Sequence, residues 1–237
     1  MRLAVIADIH GNADAFAAVL DDLRGAAPDA IVNLGDIFSG PLEPLRVAEL
    51  LDTVHITATV RGNHDRWLTS RPGTPGDWED RARAVLPVAT VEWAGALPAT
   101  AVVGEAFLCH ATPGDDLTYW LHEPIPDGRM VPRVLADIAA LAGAVAEPLI
   151  LCGHTHLPGA VRLPDGRLIV NPGSVGCPAY QDDEPFAHAV SAGSPHAAYA
   201  ILDGQGAHWR VDHRLVPYDH ARAARLAAEA GSAVWAG

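Results

Sequence analysis

The chain has 237 residues, 49% of them hydrophobic and 19% charged, the profile of a globular protein with a sizeable core rather than a disordered or fibrous one. Its formal charge of −13, from 29 acidic against 16 basic residues, excludes broad non-specific binding to nucleic acid or to an anionic membrane surface. All 16 basic residues are arginine, which also excludes lysine Schiff-base chemistry and a Walker-type phosphate loop.

In chain order, short apolar runs bounded by turn residues predict buried strands at 3–7 (LAVIA), 30–34 (AIVNL), 56–60 (ITATV), 106–109 (AFLC) and 148–152 (PLILC). Segments with helical spacing at 15–23, 44–51 and 134–141 lie between them, giving the strand and helix alternation of an α/β layer. The last third changes character. Residues 160–174 read as a hairpin around Pro164-Asp165-Gly166, and 197–216 as a second around Asp203-Gly204-Gln205-Gly206. An Ala-rich stretch at 218–230 is helical in composition, so two sheets packed together with helices outside are expected. Three polar or Pro/Gly-rich stretches, 69–78, 111–129 and 178–196, read as long loops of the kind that carry binding elements.

The first apolar run, LAVIA at 3–7, is followed by a polar, acidic turn and is too short for the apolar segment of a secretory signal, so none is expected, and no apolar run reaches the length of a membrane span. Cys109, Cys152 and Cys177 lack CxxC spacing and read as free thiols of a reducing compartment. A cytoplasmic protein is expected.

Polar side chains gather at the carboxyl ends of the strands. Asp8 and His10 follow the first; Asp36 the second; Asn63, His64 and Asp65 the third; His110 the fourth; His154 and His156 the fifth. That edge of an open α/β sheet is where ligands bind. An extended backbone would send both members of Asp8-x-His10 and of His154-x-His156 to one side, and Gly35, Gly62 and Gly153 would let the backbone turn close to the site. Carboxylate, imidazole and amide groups without thiolate favour Mn²⁺, Fe, Ni²⁺, Co²⁺ or Zn²⁺ over Ca²⁺ or Mg²⁺ alone. Seven such ligands exceed the needs of one ion, and paired ions suit phosphoryl-ester hydrolysis.

Taken together, Asp8-x-His10, Gly35-Asp36, Gly62-Asn63-His64-Asp65, His110 and Gly153-His154-Thr155-His156 form an ordered set that resembles the signature of the calcineurin-like metallophosphoesterases. With Asn171-Pro172-Gly173-Ser174 it is similar to their compact bacterial phosphodiesterase or tetraphosphatase-like members. The resemblance implies a single domain over residues 1–237, an α/β (α+β) four-layer αββα sandwich of two mixed β-sheets flanked by helices. It implies two divalent ions, Mn²⁺ foremost with Fe, Ni²⁺, Co²⁺ or Zn²⁺ as alternatives. Asp8, His10 and His156 would hold the first, Asn63, His110 and His154 the second, and Asp36 would bridge them. His64 would be the general acid, with Asp65 a candidate to orient its ring. A water activated between the ions would attack phosphorus without a phosphoenzyme. Two ions at +4 against Asp8, Asp36 and a hydroxide at −3 leave about +1 to face an anionic phosphate.

The implied substrate is a small or nucleotide-like phosphate ester, monoester or diester, with no stable nucleic-acid binding, no membrane association and no assigned oligomer. Other readings on the same fold are a non-catalytic binding or scaffold protein, as a retromer subunit is, and a phosphoprotein phosphatase. The first would follow from lost ligands, and none is lost. The second is weakened because Asp36-Ile-Phe-Ser39-Gly40-Pro41 lacks the Asp-Arg-Gly of those phosphatases. A nuclease is disfavoured by the acidic balance. Arg61 matches an arginine found before Gly-Asn-His in relatives and receives no role. Asn12 reads as a helix cap rather than a site residue, Asn171-Pro172-Gly173-Ser174 as a turn supporting the site, and Cys109 and Cys152 as small buried hydrophobes. Packing is favoured over nucleobase stacking for Trp67, Tyr119, Trp120 and Tyr180. The remaining seven histidines show no ligand spacing.

Overall fold

The computed structural model describes residues 1–70 and 78–236. The chain opens with β1 (Arg2–Ile6), α1 (Ala13–Ala26), β2 (Ala30–Asn33), α2 (Pro44–Leu51) and β3 (Ala58–Thr59), followed by α3 (Asn63–Ser70), α4 (Trp78–Val85) and α5 (Val88–Ala96). Next come β4 (Thr100–Val103), β5 (Ala106–Cys109), β6 (His122–Pro124), β7 (Met130–Pro132), α6 (Leu135–Ala142), β8 (Leu149–Leu151), β9 (Gly159–Arg162) and β10 (Leu168–Asn171). The chain closes with β11 (Ala179–Asp182), β12 (His188–Ser191), β13 (Ala197–Gln205), β14 (His208–Val216), α7 (His220–Glu229) and α8 (Ala233–Ala236).

Two five-stranded sheets dominate, in the orders β14-β13-β1-β2-β3 and β4-β5-β8-β10-β9. Both are mixed: β1, β2 and β3 run parallel, as do β5, β8 and β10, while β13, β14, β4 and β9 pair antiparallel. The two-residue side-chain period of a strand sorts each run between two cores. In β1, Leu3 and Val5 meet Leu108, Leu151 and Val170 of the other sheet, while Ala4 and Ile6 turn outward to Phe16, Val19 and Leu23 of α1. On the far side, Ile150 and Ile169 pack against Ile138 and Ala142 of α6. Helix, sheet, sheet and helix therefore form the four layers expected. Among the described residues, no helix is long and apolar enough to cross a membrane, and the three cysteines are free and buried.

Several expectations are revised. The strand at 56–60 shrinks to β3, two residues long. Residues 111–129 contain β6, which pairs with β7, and 178–196 contain the β11 and β12 hairpin. Of the third expected loop, residue 78 begins α4 and residues 69–70 end α3; residues 71–77 lie outside the described residues. In the second long hairpin Gln205 pairs with His208, so the turn is Gly206-Ala207, with Gly206 at φ 58°, rather than the four residues from Asp203.

Candidate metal centre

The loops after β1 and β2 continue to run side by side. The Asp8 amide donates to the Gly35 carbonyl (2.9 Å), His10 to Asp36 (3.0 Å) and Gly11 to Ile37 (2.9 Å). Gly35 sits at φ 98°, and a Cβ there would lie 2.4 Å from the Gly62 nitrogen; a Cβ on Gly62 would lie 2.0 Å from Asp36 Oδ1. Only two glycines let the β2 and β3 loops close on each other at this distance. From the second sheet, the Gly153 amide donates to the His110 carbonyl (2.6 Å), which joins the loops after β5 and β8.

The i, i+2 pairs do not rest on extended backbone. Asp8, His10, Asp36, His154 and His156 have φ of 56°, 49°, 56°, 67° and 57°, the left-handed region that side chains with a Cβ disfavour. Each pair still meets because the chain curls around the site, and Ala27 at the end of α1 is the one other non-glycine residue in this region among those described. Such strain collects at functional sites and is held by the surrounding structure.

The seven expected ligands come together in two groups. Asp8, His10 and His156 bring ligand atoms within 4.8 Å of one another, and so do Asp36, His110 and His154. His110 Nε2 is 3.2 Å from Asp36 Oδ2 and 3.0 Å from Asn63 Oδ1, which adds Asn63 to the second group. His10 Nε2 is 3.8 Å from Asp36 Oδ2, so Asp36 touches both.

Hydrogen bonding shows what the groups are built for. His10 Nδ1 meets the Ser39 carbonyl (2.8 Å), His156 Nδ1 the Cys177 carbonyl (2.7 Å) and His110 Nδ1 the Leu34 carbonyl (2.7 Å). A carbonyl accepts only, so each Nδ1 must carry the hydrogen, and each Nε2 faces inward as the atom left to take a second proton or a cation. His10 Nε2 and His156 Nε2 then oppose each other at 3.2 Å, beside Asp8 Oδ1, which is buried, has no hydrogen-bond partner among the described residues and lies 3.5 Å from His156 Nε2. Converging acceptors of this kind need a positive charge among them. His154 is turned the other way: its Nε2 donates to the Leu117 carbonyl (2.8 Å), leaving Nδ1 for the site. Carbonyl partners that fix the tautomer are the usual outer support of metal-binding histidines.

Burial lowers all four imidazoles, and their neighbours then divide them. His10 falls to about 3, with the His156 charge adding to burial, and His154 to about 4, with His110 adding. His110 is lifted to about 9 by Asp36, and His156 is lifted well above its ordinary value by Asp8. Although burial opposes it, both carboxylates stay low, Asp8 mainly through His156 and Asp36 mainly through His110. Protons on His110 and His156 thus supply the positive charge that these donors fit, and that divalent ions would supply in greater measure.

His64 stands beside this set. Its amide donates to Asp36 Oδ1 (2.9 Å), and its ring lies edge-on to His10 and Trp67, with centroids 5.2 and 4.9 Å apart. Asp65 does not orient that ring. It accepts the amides of Asp36, Ile37 and Gly62 at 2.8, 3.1 and 3.0 Å, tying the β2 and β3 loops. The ring's partners are Glu79, whose Oε1 is 2.5 Å from Nδ1, and Ser39, whose Oγ is 3.1 Å from it. Burial lowers His64, but Asp36 and then Glu79 bring it above its ordinary value; burial raises Glu79, and His64 brings it below.

A cavity of about 830 Å³ opens over the site. Trp67, Tyr119 and Tyr180 line it, as do Trp78 and Trp235, while Trp120 is buried and donates to the Ile138 carbonyl (3.0 Å). Trp235 of α8 meets His10 edge-on at 5.9 Å. Glu79 and Trp235 had no sequence signal, as neither lies in a motif nor at ligand spacing. Asn12 caps α1 by accepting the Ala15 amide (3.1 Å). Asn171 Nδ2 donates to the Gly153 carbonyl (2.7 Å) and Ser174 Oγ to the Asp8 carbonyl (2.8 Å), so this turn braces two ligand loops. Arg61 reaches the Gly95 carbonyl (3.1 Å).

The chain is similar to known proteins. A model described as the calcineurin-like phosphoesterase superfamily domain matches residues 1–192. The crystal structure of a metallophosphoesterase from Sphaerobacter thermophilus superposes with a TM-score of 0.73 at 26% identity, covering 98% of this chain and 94% of that one. That of hypothetical protein PH1004 from Pyrococcus horikoshii OT3 gives 0.65 at 20%, over 97% and 95%. Uncharacterized protein MJ0912 of Methanocaldococcus jannaschii is 25% identical over 92% of this chain and 88% of its own length.

Proposed function

The chain belongs to the calcineurin-like phosphoesterase superfamily, and from that premise we propose that it is a hydrolase of small or nucleotide-like phosphate esters that works with two divalent metal ions. Asp8, His10 and His156 would hold one ion, Asn63, His110 and His154 the other, and Asp36 would be shared. When bound, the ions polarise phosphoryl oxygens and bring the pKa of a water towards about 7. Mn²⁺ suits this oxygen and nitrogen donor set, as do Fe, Co²⁺, Ni²⁺ and Zn²⁺.

The chain's own residues do the rest. Asp36, Asp8 and the buried imidazoles fix the donor atoms before substrate arrives, through carbonyl contacts that hold three rings by Nδ1 and one by Nε2. His64 donates a proton to the departing oxygen, a contribution typically worth about 10²- to 10⁴-fold. The aromatic walls accommodate the part of the substrate beyond phosphorus. The protein is expected to act in the cytoplasm, without stable nucleic-acid or membrane binding.

One observation carries the reading: histidine nitrogens and carboxylate oxygens, each able to ligate a cation, converge in two buried groups about a common aspartate. Its test is turnover of bis-p-nitrophenyl and p-nitrophenyl phosphate with Mn²⁺ added, alongside metal content. Wild type should hydrolyse at least one ester, and Asp36→Ala should lose both turnover and metal. Failure of wild type on both esters and on a panel of nucleotides would end the hydrolase reading, and a metal-free Asp36→Ala that still bound a protein partner would favour a scaffold.

A further inference from the structure

The residues that hold His64 belong to no ligand group. Glu79 lies in the first turn of α4, is only 6% exposed, and presents Oε1 to two donors at once: His64 Nδ1 at 2.5 Å and Ser39 Oγ at 2.6 Å. Ser39 Oγ is also 3.1 Å from His64 Nδ1, which closes a triangle of carboxylate, hydroxyl and imidazole. The Ser39 carbonyl accepts from His10 Nδ1 (2.8 Å), so one residue fixes the backbone beside His10 and the ring of His64. A carboxylate accepts and does not donate, so His64 Nδ1 must carry the hydrogen. That leaves Nε2 as the ring nitrogen without a protein partner among the described residues, on a side chain that lines the cavity.

We propose that Glu79, assisted by Ser39, is the positioning residue of the acid: it fixes the tautomer and the orientation of His64 so that Nε2–H is the group presented to the leaving oxygen. The inference rests on the hydrolase reading above. As the bond from phosphorus to the leaving oxygen breaks, that oxygen takes the proton from Nε2 and departs as an alcohol. His64 is left neutral with its hydrogen still on Nδ1, and regains the lost proton from solvent. Glu79 remains ionised throughout and touches neither substrate nor metal. It acts by pre-orientation, the division of labour seen wherever a third group orients a base or acid.

Leaving groups separate this role from a structural one. A strongly basic alkoxide needs the proton as it leaves, whereas p-nitrophenolate scarcely does. The experiment compares kcat with Mn²⁺ on bis-p-nitrophenyl phosphate and on dibenzyl phosphate, for wild type, Glu79→Gln, Glu79→Ala, Ser39→Ala, His64→Ala and the double variant His64→Ala/Glu79→Ala, with metal content and melting temperature as controls. Glu79→Ala should lower kcat on the benzyl ester by about 10- to 100-fold and on the aryl ester by less than about threefold, with KM little changed, a fraction of the full general-acid effect. Glu79→Gln, which keeps an acceptor in place, should lose less, and Ser39→Ala less again. The double variant should be no slower than His64→Ala alone, because residues acting through one another are non-additive. Equal losses on both esters, or losses that multiply in the double variant, would overturn the inference while leaving the hydrolase reading intact. Wild-type cleavage confined to the aryl ester would overturn it too, since no acid would then assist departure; a wild type inactive on every ester would overturn both.

Discussion

At the scale of the residue, the site depends on charges that compensate one another. Asp36 is the chief support of the proton on His110, which burial alone would remove. Replacing it by asparagine keeps the shape and suits the left-handed φ of 56°, since asparagine tolerates that region best. In chelated Asp36→Asn, His110 should fall from about 9 towards its ordinary 6.5, which an NMR titration of the histidine resonances would read; a value still near 9 would refute the pairing. The same proton gives metal binding its pH dependence. A cation at His110 Nε2 must displace it, so affinity for Mn²⁺ should rise about tenfold per pH unit for each proton expelled. For His110 that rise continues to about pH 9, and then levels. The sign reverses for the metal-free fold: a pKa raised from 6.5 to about 9 stabilises it in full below 6.5 and fades as pH climbs through 9. Calorimetric titration at several pH values, with proton release counted, tests this, and an affinity independent of pH would contradict it.

Elements differ in how plainly the sequence announced them. Strands β1, β2, β5 and β8 are buried on both faces and were legible as continuous apolar runs, and their carboxyl ends brought the ligand set into view. The helices α3, α4 and α5 were not. Asn63 to Ser70 is a polar stretch whose helix begins on two residues of the candidate site, and Val88 to Ala96 is apolar on nearly every side, so neither shows the 3.6-residue stripe. β6, β7, β11 and β12 are three or four residues long and rich in proline, histidine or charge, too short for alternation to speak. Glu79 escaped for a related reason: it reaches His64 only because α3 and α4 pack on each other. Asn12, read as a cap, does more than cap. It accepts the Ala15 amide, and its Nδ2 donates to the Gly176 carbonyl (2.9 Å) and the Tyr218 hydroxyl (3.1 Å) while 2% exposed. Asn12→Ala removes the cap and strands a buried carbonyl, at a combined cost of about 2–3 kcal/mol. That corresponds to roughly 5–10 °C in melting temperature for a chain of this size. Thermal denaturation of the chelated protein checks it; a change under about 1 °C would mean that the cap contributes little.

For the whole molecule, the position of the proposed ions between layers matters more than their number. Asp8, His10, Asp36 and Asn63 follow strands of the first sheet, whereas His110, His154 and His156 follow β5 and β8 of the second. Each ligand group therefore draws on both sheets, and neither group exists unless the sheets are packed. A ligand that binds only the folded state stabilises it by about 2.7 kcal/mol when present at 100 times its dissociation constant, so two ions would add about 5 kcal/mol. The apolar layer between the sheets, with Leu3, Val5, Leu108, Leu151 and Val170 all buried, does not need them. Chelation should thus lower the melting temperature by roughly 10–20 °C while leaving the far-ultraviolet circular dichroism of a folded protein, and excess Mn²⁺ should restore it. Two variants separate the contributions. Leu151→Ala opens a cavity in the layer itself and should cost about 2–5 kcal/mol, with or without metal, because Leu151 ends before the ligand loop begins. Asp36→Asn should lower the chelated protein's melting temperature by the lost His110 pairing and abolish most of the increment on adding Mn²⁺. If wild type melted at the same temperature in chelator and in Mn²⁺, the two sheets would be held by packing alone, and no pair of cations would be clamped between them.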